Sequence, residues 1–456
     1  MIWSTVDKAI DGLSPQNLSR LYRLTPPWLV DRIRIARFRK TVRWAARQSP
    51  FYREAFAKSK IDADRVHHPR DLGDFFTTPD EVAADPEKFL CAKPSIVFES
   101  SGTSGKNKKI FYSRREIDQM GQIMAAGIML MGVAPDDRVA NAFDFSMWIP
   151  GMLTHSALMS GGQFCMAFGK VDPIEVYRRL ETYRFNVVMG EPTWLIRLTE
   201  IAEREGSLPL KLLMGAAEEM PPNAIPWMEK VWQGAKVRMC YGSVEQGSAI
   251  GYQPCDQFDG YHVDDSDFYP ELMDIDSDGY GELVYTTLRR RVMPLIRYRS
   301  RDVTKLLDDA CSCGVPGKRM HRLRGRRDEL VVASGGNLYP LMFESIFKPV
   351  RGLTGEWQII FRLEGMREIL EMNVETDRLD MESLEKEIHR SCTEQYPDLM
   401  KNLALGIFEM RLVTHPQGSI RKGRKIRRML DLRYASGTEA EHARVLSNSS
   451  EVEHVI

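Results

Sequence analysis

The chain has little of several features that would place it in a specialised class of protein. It contains seven cysteines among 456 residues, and its 63 basic side chains equal its 63 acidic ones in number. So few cysteines in so long a chain exclude a disulfide scaffold. Because the formal net charge is zero, general electrostatic binding of nucleic acid is disfavoured, although local basic clusters stay open; we expect no nucleic-acid partner.

Long apolar runs are also missing. The longest run, residues 124–134, is about half of the ~20 apolar residues that a bilayer-spanning helix needs. The first seven residues lack the basic start, apolar run and cleavage site of a signal peptide. We therefore expect a cytoplasmic protein without a membrane partner. Hydrophobic residues at 43% and charged residues at 28% are typical of a globular protein with a substantial core.

The spacing of apolar residues divides the chain into parts of different character. Residues 1–95 have apolar positions at helical spacing, which predicts a mainly helical lead-in. Beyond them, short apolar runs alternate with helical patterns such as 172–184 and 191–205, which predicts βα units around a largely parallel sheet. Residues 282–287 and 295–307 are rich in β-branched and aromatic residues with short turns. They predict an antiparallel, barrel-like part.

The C-terminal part predicts a small α+β unit. A hairpin is expected around Glu364 and Gly365, where two strand-like runs flank a turn. A helix is expected over residues 381–392, with Asp380 as its N-cap, followed by a strand over 404–413.

The most informative segment is rich in glycine, serine and lysine and runs from Ser100 to Lys108, just after the strand-like residues 96–98. Glycines permit unusual backbone angles, so main-chain N–H groups can converge on an anion, while hydroxyls and an ammonium add donors. The segment is no Walker A loop, since two residues rather than four separate Gly102 from Gly105. Composition alone leaves a plain surface turn equally open.

This segment resembles the phosphate-binding signature of the adenylate-forming superfamily, which includes acyl-CoA synthetases, luciferases and peptide-synthetase adenylation domains. Further segments resemble the superfamily's other motifs, in the right order. They are Gly215-Ala216-Ala217-Glu218, Tyr241-Gly242-Ser243-Val244-Glu245, Tyr298-Arg299-Ser300-Arg301-Asp302, Gly325-Arg326-Arg327-Asp328-Glu329 with Gly335-Gly336-Asn337-Leu338-Tyr339-Pro340, and Arg424-Lys425-Ile426-Arg427-Arg428. Each motif alone is weak, and their number and order carry the resemblance. The compact length and the Gly-Gly-Asn-Leu-Tyr-Pro segment are most similar to the phenylacetate-CoA ligase and coenzyme F390 synthetase branch.

The resemblance implies the α/β fold of adenylate-forming enzymes, with a large N-terminal domain of parallel sheets and a barrel-like part, and a small mobile α+β C-terminal domain. The small domain would swing about Asp328 to expose a tunnel for CoA, lined by Gly335 and Gly336. The expected boundaries are residues 1–324 for the large domain, 325–329 for the hinge, 330–435 for the small domain and 436–456 for a loose polar tail.

The resemblance also implies the chemistry of the family. A carboxylic acid attacks the α-phosphate of ATP to give an acyl-adenylate and pyrophosphate, and CoA then takes the acyl group and releases AMP. Because charge accumulates on phosphate oxygens, positioned cations and N–H donors lower the barrier. The residues implied in binding ATP or AMP are Ser101, Gly102, Thr103, Ser104, Gly105, Lys106, Gly215, Ala216, Ala217, Glu218, Tyr241, Gly242, Ser243, Asp302 and Arg326.

Two side chains are implied in catalysis. Glu245 would help to coordinate Mg²⁺, a hard cation that prefers carboxylate and phosphate oxygens. Lys425 would place a mobile positive charge on the reacting carboxylate. The family has glycine before this lysine, whereas Arg424 stands there in this chain. Lys422, which lies next to Gly423, therefore stays open as the alternative.

Four residues predict a metal site. Cys255 and His262, and Cys311 and Cys313, are closely spaced pairs in irregular segments. Thiolates and a neutral imidazole at such spacings suit a tetrahedral structural Zn²⁺. Members of the resembled branch carry a similar set, so we expect zinc here, although four unrelated residues stay open as the alternative.

The motifs do not identify the carboxylic acid that is the substrate. Phe143, Phe145, Trp148 and Trp194 could stack on an aromatic acid or could be ordinary core residues. The resembled branch favours an aryl or related cyclic acid. Two alternatives stay open: a ligase that passes the acyl group to an amine or to a carrier-protein thiol, and a catalytically silent nucleotide-binding homologue. A homodimer stays open as well.

Overall fold

The structure of the chain is a computed structural model. It describes residues 9–10, 12–100, 107–218, 220, 224–257, 260–276, 279–323, 325–326, 331–333, 336–338, 340–420, 428–433 and 453–455. Within it the chain forms two compact units. The first unit consists of residues 1–190, 207–217 and 232–327, and the second of residues 191–206, 218–231 and 328–456.

The lead-in is helical, as expected, because its helices begin at prolines and at side chains that cap free N–H groups. Ser14 and Ser49 each accept a hydrogen bond from the first turn of the helix that follows. Thr78 and Glu81 form a reciprocal capping box. The helices of the first unit are α1 (Pro15–Leu24), α2 (Pro27–Gln48), α3 (Pro50–Lys58), α4 (Pro79–Ala84), α5 (Arg114–Leu130), α6 (Ile149–Gly161) and α7 (Pro173–Tyr183).

The strands of the first unit form a large mixed sheet, a smaller antiparallel sheet and a hairpin. They are β1 (Ile96–Ser100), β2 (Lys108–Tyr112), β3 (Arg138–Asn141), β4 (Phe164–Ala167), β5 (Val187–Gly190), β6 (Leu212–Gly215), β7 (Lys236–Gly242), β8 (Ala249–Tyr252), β9 (Gly260–Val263), β10 (Phe268–Met273), β11 (Gly281–Thr287), β12 (Tyr298–Thr304), β13 (Leu306–Leu307), β14 (Arg319–His321) and β15 (Gly325–Arg326).

The large sheet has the order β13-β14-β9-β8-β7-β6-β5-β3-β4. Its strands β4, β3, β5, β6 and β7 run parallel, and β5 and β6 are buried along their whole length. This confirms the parallel sheet that the βα alternation predicted, because strands covered on both faces read as continuous apolar runs.

The antiparallel part is confirmed too. Strands β10, β11, β12 and β15 pair antiparallel in that order. Among the described residues the two outer strands do not pair, so this sheet is open and does not close into a barrel. Strands β1 and β2 form a separate hairpin whose ends flank residues 101–107.

The second unit is built on a five-stranded mixed sheet with the order β21-β18-β19-β20-β22. Helices cover this sheet, and their apolar faces form one core with it, which includes Trp357, Phe361, Leu384 and Ile388. The elements of this unit are α8 (Pro192–Glu205), α9 (Ala224–Val231), β16 (Val331–Ala333), β17 (Gly336–Leu338), α10 (Pro340–Phe347), β18 (Leu353–Glu364), β19 (Arg367–Thr376), α11 (Met381–Gln395), α12 (Pro397–Ala404), β20 (Phe408–His415), β21 (Met429–Asp431) and β22 (Glu453–Val455).

The hairpin around Glu364 and Gly365 is confirmed, but two details of this unit differ from expectation. Asp380 occupies the N-cap position of α11 without forming the capping hydrogen bond, because its carboxylate pairs with Arg378 at 2.9 Å. Ala404 ends a helix, and the strand begins only at Phe408, because Pro397 starts a short helix that the strand assignment overlooked. No helix in the described part of the chain is both long and apolar enough to cross a bilayer.

Candidate active site

The candidate site lies where neighbouring parallel strands of the first unit end. Strands β5, β6 and β7 each finish in a glycine, at Gly190, Gly215 and Gly242. In open α/β sheets ligands bind beyond the carboxyl ends of the strands. A Cβ at Gly242 would lie 2.9 Å from the carbonyl oxygen of Ser248, so glycine is required for β7 to turn back into β8.

The segment after β6 has an unusual backbone. Ala217 has a φ of 77°, in the left-handed region that costs a non-glycine residue about 1–2 kcal/mol. Such conformations cluster at ligand sites, where the surroundings hold them in place. In the second unit, Glu218 accepts hydrogen bonds from the N–H of Thr193 at 3.2 Å and from its hydroxyl at 2.8 Å. Glu218 thus holds the beginning of α8.

Tyr241 and Asp302, which are 61 positions apart in the sequence, are in direct contact. The Tyr241 hydroxyl donates a hydrogen bond to the Asp302 carboxylate, and both residues are buried. Asp302 is also the register partner of Arg326, so strands β12 and β15 bring these two predicted nucleotide residues side by side. The structure therefore gathers three of the residues that the sequence assigned to the nucleoside.

Arg301 occupies the position where the resembled family has glycine, and its conformation explains that glycine. Its φ is 67°, a value that favours glycine. The main-chain N–H of Arg301 donates to Glu282 at 3.0 Å, and the side chain pairs with Asp80 of α4 at 2.6 Å. The guanidinium is therefore engaged with α4.

Glu245 is buried and surrounded by partners. Its Oε1 lies 2.7 Å from Nζ of Lys108, and it accepts hydrogen bonds from Ser100 at 3.0 Å and from the Tyr298 hydroxyl at 3.3 Å. Burial by itself would raise the pKa of Glu245, but the Lys108 ammonium and the hydrogen bonds lower it to about 2. The carboxylate is therefore ionised at any physiological pH.

The loop that carries Glu245 is fixed by Arg290. This guanidinium donates to the Tyr112 hydroxyl at 3.0 Å, to the carbonyl oxygen of Glu245 at 3.2 Å and to that of Phe111 at 3.2 Å. It also lies over the Tyr112 ring, 3.9 Å from its centroid. The Tyr112 hydroxyl donates in turn to the carbonyl oxygen of Val244. Arg290 thus positions the main chain on both sides of the Glu245 peptide.

Lys108 and Arg290 were missed by the sequence interpretation, which assigned Lys106. One signal could have identified Lys108. Successive residues of a strand face opposite sides, so Lys108 shares its face of β2 with Ile110 and Tyr112, all three buried, whereas Lys109 is exposed. No comparable signal pointed to Arg290.

The predicted metal ligands come together. Nε2 of His262 lies 3.7 Å from Sγ of Cys255 and 3.6 Å from Sγ of Cys313, and the sulfurs of Cys255 and Cys311 are 3.8 Å apart. All four ligand atoms lie within 4.8 Å of one another. Zinc bonds of about 2.3 Å to sulfur and about 2.0–2.1 Å to nitrogen in a tetrahedron imply separations of about 3.6–3.8 Å. The donor set therefore fits a tetrahedral metal.

The environment of His262 favours its neutral form. Burial, with the Arg319 and Arg23 guanidinium groups, lowers the pKa of His262 to about 4. Neutral imidazole is the form that ligates metals. The β9–β14 pairing places Arg319 opposite His262, so the cluster ties β9 to the segment that precedes β14.

Several predicted residues lie outside the described part of the chain. They are Ser101, Gly102, Thr103, Ser104, Gly105, Lys106, Asp328, Gly335, Lys422 and Lys425.

Other predicted residues are described. Gly336 begins β17. Ser243 accepts a hydrogen bond from the N–H of Gln246 at 3.3 Å, in the turn that contains Glu245. The aromatic candidates for the acid pocket divide: Phe143 and Trp194 are buried, whereas Phe145 is 38% exposed.

The chain is similar to known proteins along most of its length. Residues 42–266 match the model of a family described as "AMP-binding enzyme". The phenylacetate-coenzyme A ligase of Thermus thermophilus is 26% identical over 87% of this chain and 95% of its own. These matches support the resemblance to the adenylate-forming superfamily and, within it, to the phenylacetate-CoA ligase-like branch.

Two further proteins are similar to this chain. A crystal structure of 2-hydroxyisobutyryl-CoA ligase with 2-HIB-AMP and CoA has a TM-score of 0.74 and 23% identity, and covers 93% of each chain. It establishes that the fold is that of the adenylate-forming enzymes. The indoleacetate–lysine synthetase of Pseudomonas savastanoi is 22% identical over 71% of this chain and 84% of its own.

Proposed function

We propose that this protein is an ATP-dependent carboxylate–CoA ligase that acts through an acyl-adenylate. The observation that carries the proposal is the convergence of β7 and β12. The Tyr241 hydroxyl donates to Asp302, and the Tyr298 hydroxyl donates to Glu245 at 3.3 Å. Two contacts thus bring the proposed ribose-binding acid and the proposed magnesium ligand to one place at the sheet edge.

The two half-reactions make different demands on the site. In the first, a carboxylate oxygen bonds to the α-phosphorus, the bond to the bridging oxygen breaks, and pyrophosphate leaves. In the second, the CoA sulfur bonds to the acyl carbon and AMP leaves. We propose that Asp302 accepts hydrogen bonds from the ribose hydroxyls and that Tyr241 packs near the adenine. Lys425 would approach the reacting carboxylate only in the first half-reaction.

Glu245, whose carboxylate contacts Ser100 and Lys108, is the proposed magnesium ligand. Mg²⁺ would neutralise charge on the phosphates when bound. Because Lys108 already engages Oε1 of Glu245, the ammonium and the metal would share one carboxylate. The residues therefore fit a dication whose other ligands come from phosphate and water.

The cluster of Cys255, His262, Cys311 and Cys313 is the proposed site of a structural Zn²⁺. Support comes from its separations, which match a tetrahedral metal, and from the lowered pKa of His262. Four protein ligands would leave no open position, so the ion would contribute stability rather than chemistry.

The substrate is proposed to be an aryl or related cyclic acid. The curated relatives matched by this chain include several phenylacetate-coenzyme A ligases. We also propose that residues 325–329 act as a hinge, with Asp328 as the pivot, and that residues 330–435 swing as a domain. Gly335 and Gly336 would then border the path of CoA, where missing side chains permit close approach.

One alternative acceptor has a specific observation in its favour. The similarity to an indoleacetate–lysine synthetase places an amide-forming enzyme among the relatives of this chain. In that reaction an amine nitrogen, rather than the CoA sulfur, would attack the acyl carbon of the same adenylate. A carrier-protein thiol would serve by the same chemistry.

The first half-reaction is tested by the exchange of labelled pyrophosphate into ATP. Because adenylation is reversible, the proposal predicts exchange that depends on a carboxylic acid and on Mg²⁺, and that needs no CoA. Aryl and alkyl acids would be compared one at a time. Exchange without added acid, or none with any acid, would contradict the proposal.

A further inference from the structure

A buried carboxylate of the second unit ties down the segment that leads to the proposed adenylation lysine. Glu375, near the end of β19, is 1% exposed. Its Oε1 accepts a hydrogen bond from the N–H of Ile420 at 2.7 Å, and its Oε2 accepts one from the N–H of Gly418 at 2.9 Å. The Thr354 hydroxyl donates to Oε2 as well, at 3.3 Å. Lys425 follows Ile420 by five positions.

The segment has the backbone that such an anchor requires. The N–H of Ser419 bonds to the carbonyl oxygen of Pro416 at 3.2 Å, and Gly418 has a φ of 81°. This turn points two main-chain N–H groups at one carboxylate, an arrangement that binds anions well. The Glu375 carboxylate is therefore the anion that this turn binds.

The far side of the lysine motif is fixed to the same hairpin. Nη1 of Arg428 donates to the carbonyl oxygen of Trp357 at 2.8 Å, and the carbonyl oxygen of Arg428 accepts from the N–H of Ile359 at 2.8 Å. The guanidinium also lies 3.1 Å from Glu356. The described residues on the two sides of the lysine motif are thus attached to the same hairpin, Gly418 and Ile420 to β19 and Arg428 to β18.

We propose that Glu375 is a positioning residue for the adenylation half-reaction, which rests on the proposed function of Lys425. Lys425 lies in the sequence between these two attachments, and misplacement of a catalytic group by about 1 Å can cost on the order of a hundred-fold in rate. The thioester half-reaction does not use Lys425. Loss of the Glu375 attachment should therefore slow the first half-reaction and spare the second.

The test compares Glu375→Gln with Glu364→Gln in the full-length protein. Glutamine keeps the volume of Glu375 but presents an N–H₂ group to one of the two N–H donors. Glu364 lies at the opposite end of the same hairpin and pairs with Arg411, so its variant is the matched control. Pyrophosphate exchange reports the first half-reaction. Conversion of a synthetic acyl-adenylate with CoA reports the second, using the acid with the fastest wild-type exchange.

For Glu375→Gln we expect exchange to fall on the order of ten- to a hundred-fold, with thioester formation within about two-fold of wild type. Glu364→Gln should leave both rates unchanged. Equal loss of both half-reactions, or loss of neither, would overturn the inference. A wild-type protein without exchange would contradict the proposed function itself, and the inference with it.

A second variant tests the same attachment in case Glu375→Gln does not fold. Gly418 is exposed and a Cβ there would meet no atom within 4 Å, so Gly418→Ala should fold while its positive φ becomes unfavourable. It should reproduce the selective loss of exchange in weaker form. If Gly418→Ala lowers both half-reactions equally or leaves exchange unchanged, the attachment has no positioning role.

Discussion

Nζ of Lys108 lies 2.7 Å from Oε1 of Glu245, and the two side chains are only 6% and 7% exposed. They are brought together from β2 and from the loop after β7, 137 positions apart. A charge buried this deeply is retained only with a partner. Each side chain therefore depends on the other, and the proposed magnesium ligand is held ionised before any nucleotide binds.

Replacing Lys108 by Ala should destabilise the protein and impair adenylation. Removal of one partner of a buried ion pair leaves an uncompensated charge, which costs about 3–5 kcal/mol in the free energy of unfolding. Denaturant unfolding measures this loss. Lys109→Ala is the matched control, because Lys109 is the exposed neighbour on the same strand. Equal stabilities for the two variants would show that the pair does not hold the site.

The same pair gives stability a defined pH dependence. The pKa of Glu245 is lowered from 4.5 to about 2 in the folded protein, so its ion pair contributes full stability above pH 4.5. That contribution should be lost as the pH falls from 4.5 toward 2. The difference in unfolding free energy between wild type and Glu245→Gln, measured by denaturant at several pH values, should be constant above 4.5 and shrink below it. A difference that stays constant down to pH 3 would contradict this assignment.

Tyr241→Phe should weaken the nucleoside part of the site and leave the fold intact. The variant removes the hydrogen bond to Asp302, and a hydrogen bond to a charged group contributes about 1.5–3 kcal/mol. We expect KM for ATP in the exchange reaction to rise about ten-fold, with a smaller change in kcat. Tyr269→Phe is the control, since that hydroxyl bonds to His68 at 2.8 Å. An unchanged KM in Tyr241→Phe would show that the pair does not contact the nucleotide.

Much of the fold and of the site could be predicted because it depends on short stretches of sequence, namely apolar runs and motifs. Continuous apolar runs marked β5 and β6. The resemblance to family motifs marked Tyr241, Glu245 and Asp302, which the fold then gathers at one sheet edge. Long-range partners could not be predicted in this way. Alternation along β2 could mark Lys108 as buried, but that Glu245, 137 positions away, is its partner is set only by the folded chain.

Errors in the second unit have the same origin. Asp380 has the right residue type for an N-cap, but Arg378 competes for its carboxylate, and the outcome depends on side-chain geometry that a sequence window does not contain. The strand predicted over residues 404–413 begins only at Phe408, because Ala404 still belongs to a helix. Pro397 begins this helix, α12, because proline suits the first turn of a helix.

The metal site predicts a stoichiometric zinc ion. Purified protein should contain about one zinc per chain by elemental analysis, since the four ligands form one cluster. Cys311→Ser should lose the metal and lower the melting temperature. Cys165→Ser is the control, because Cys165 lies beside His155, outside the cluster, and should retain the zinc. Protein that carries no metal and melts like the Cys311→Ser variant would contradict the site.

The two candidate lysines can be separated by the same exchange reaction. Lys425→Ala should lower acid-dependent exchange on the order of a hundred- to a thousand-fold, the usual effect of removing one group that stabilises charge in the transition state. Lys422→Ala, three positions away, should change it far less. ATP binding should survive in both variants. If only Lys422→Ala loses exchange, the role belongs to Lys422.

The central claim, an acyl-adenylate passed to CoA, is tested most directly by mass spectrometry of the products. Protein, Mg-ATP and single carboxylic acids would be incubated without acceptor, with CoA, and with an amino-acid mixture that includes lysine. The account predicts AMP and one acyl-CoA, formed from an aryl or cyclic acid only when CoA is present. An amide without acyl-CoA, or neither adenylate nor thioester from any acid, would contradict it.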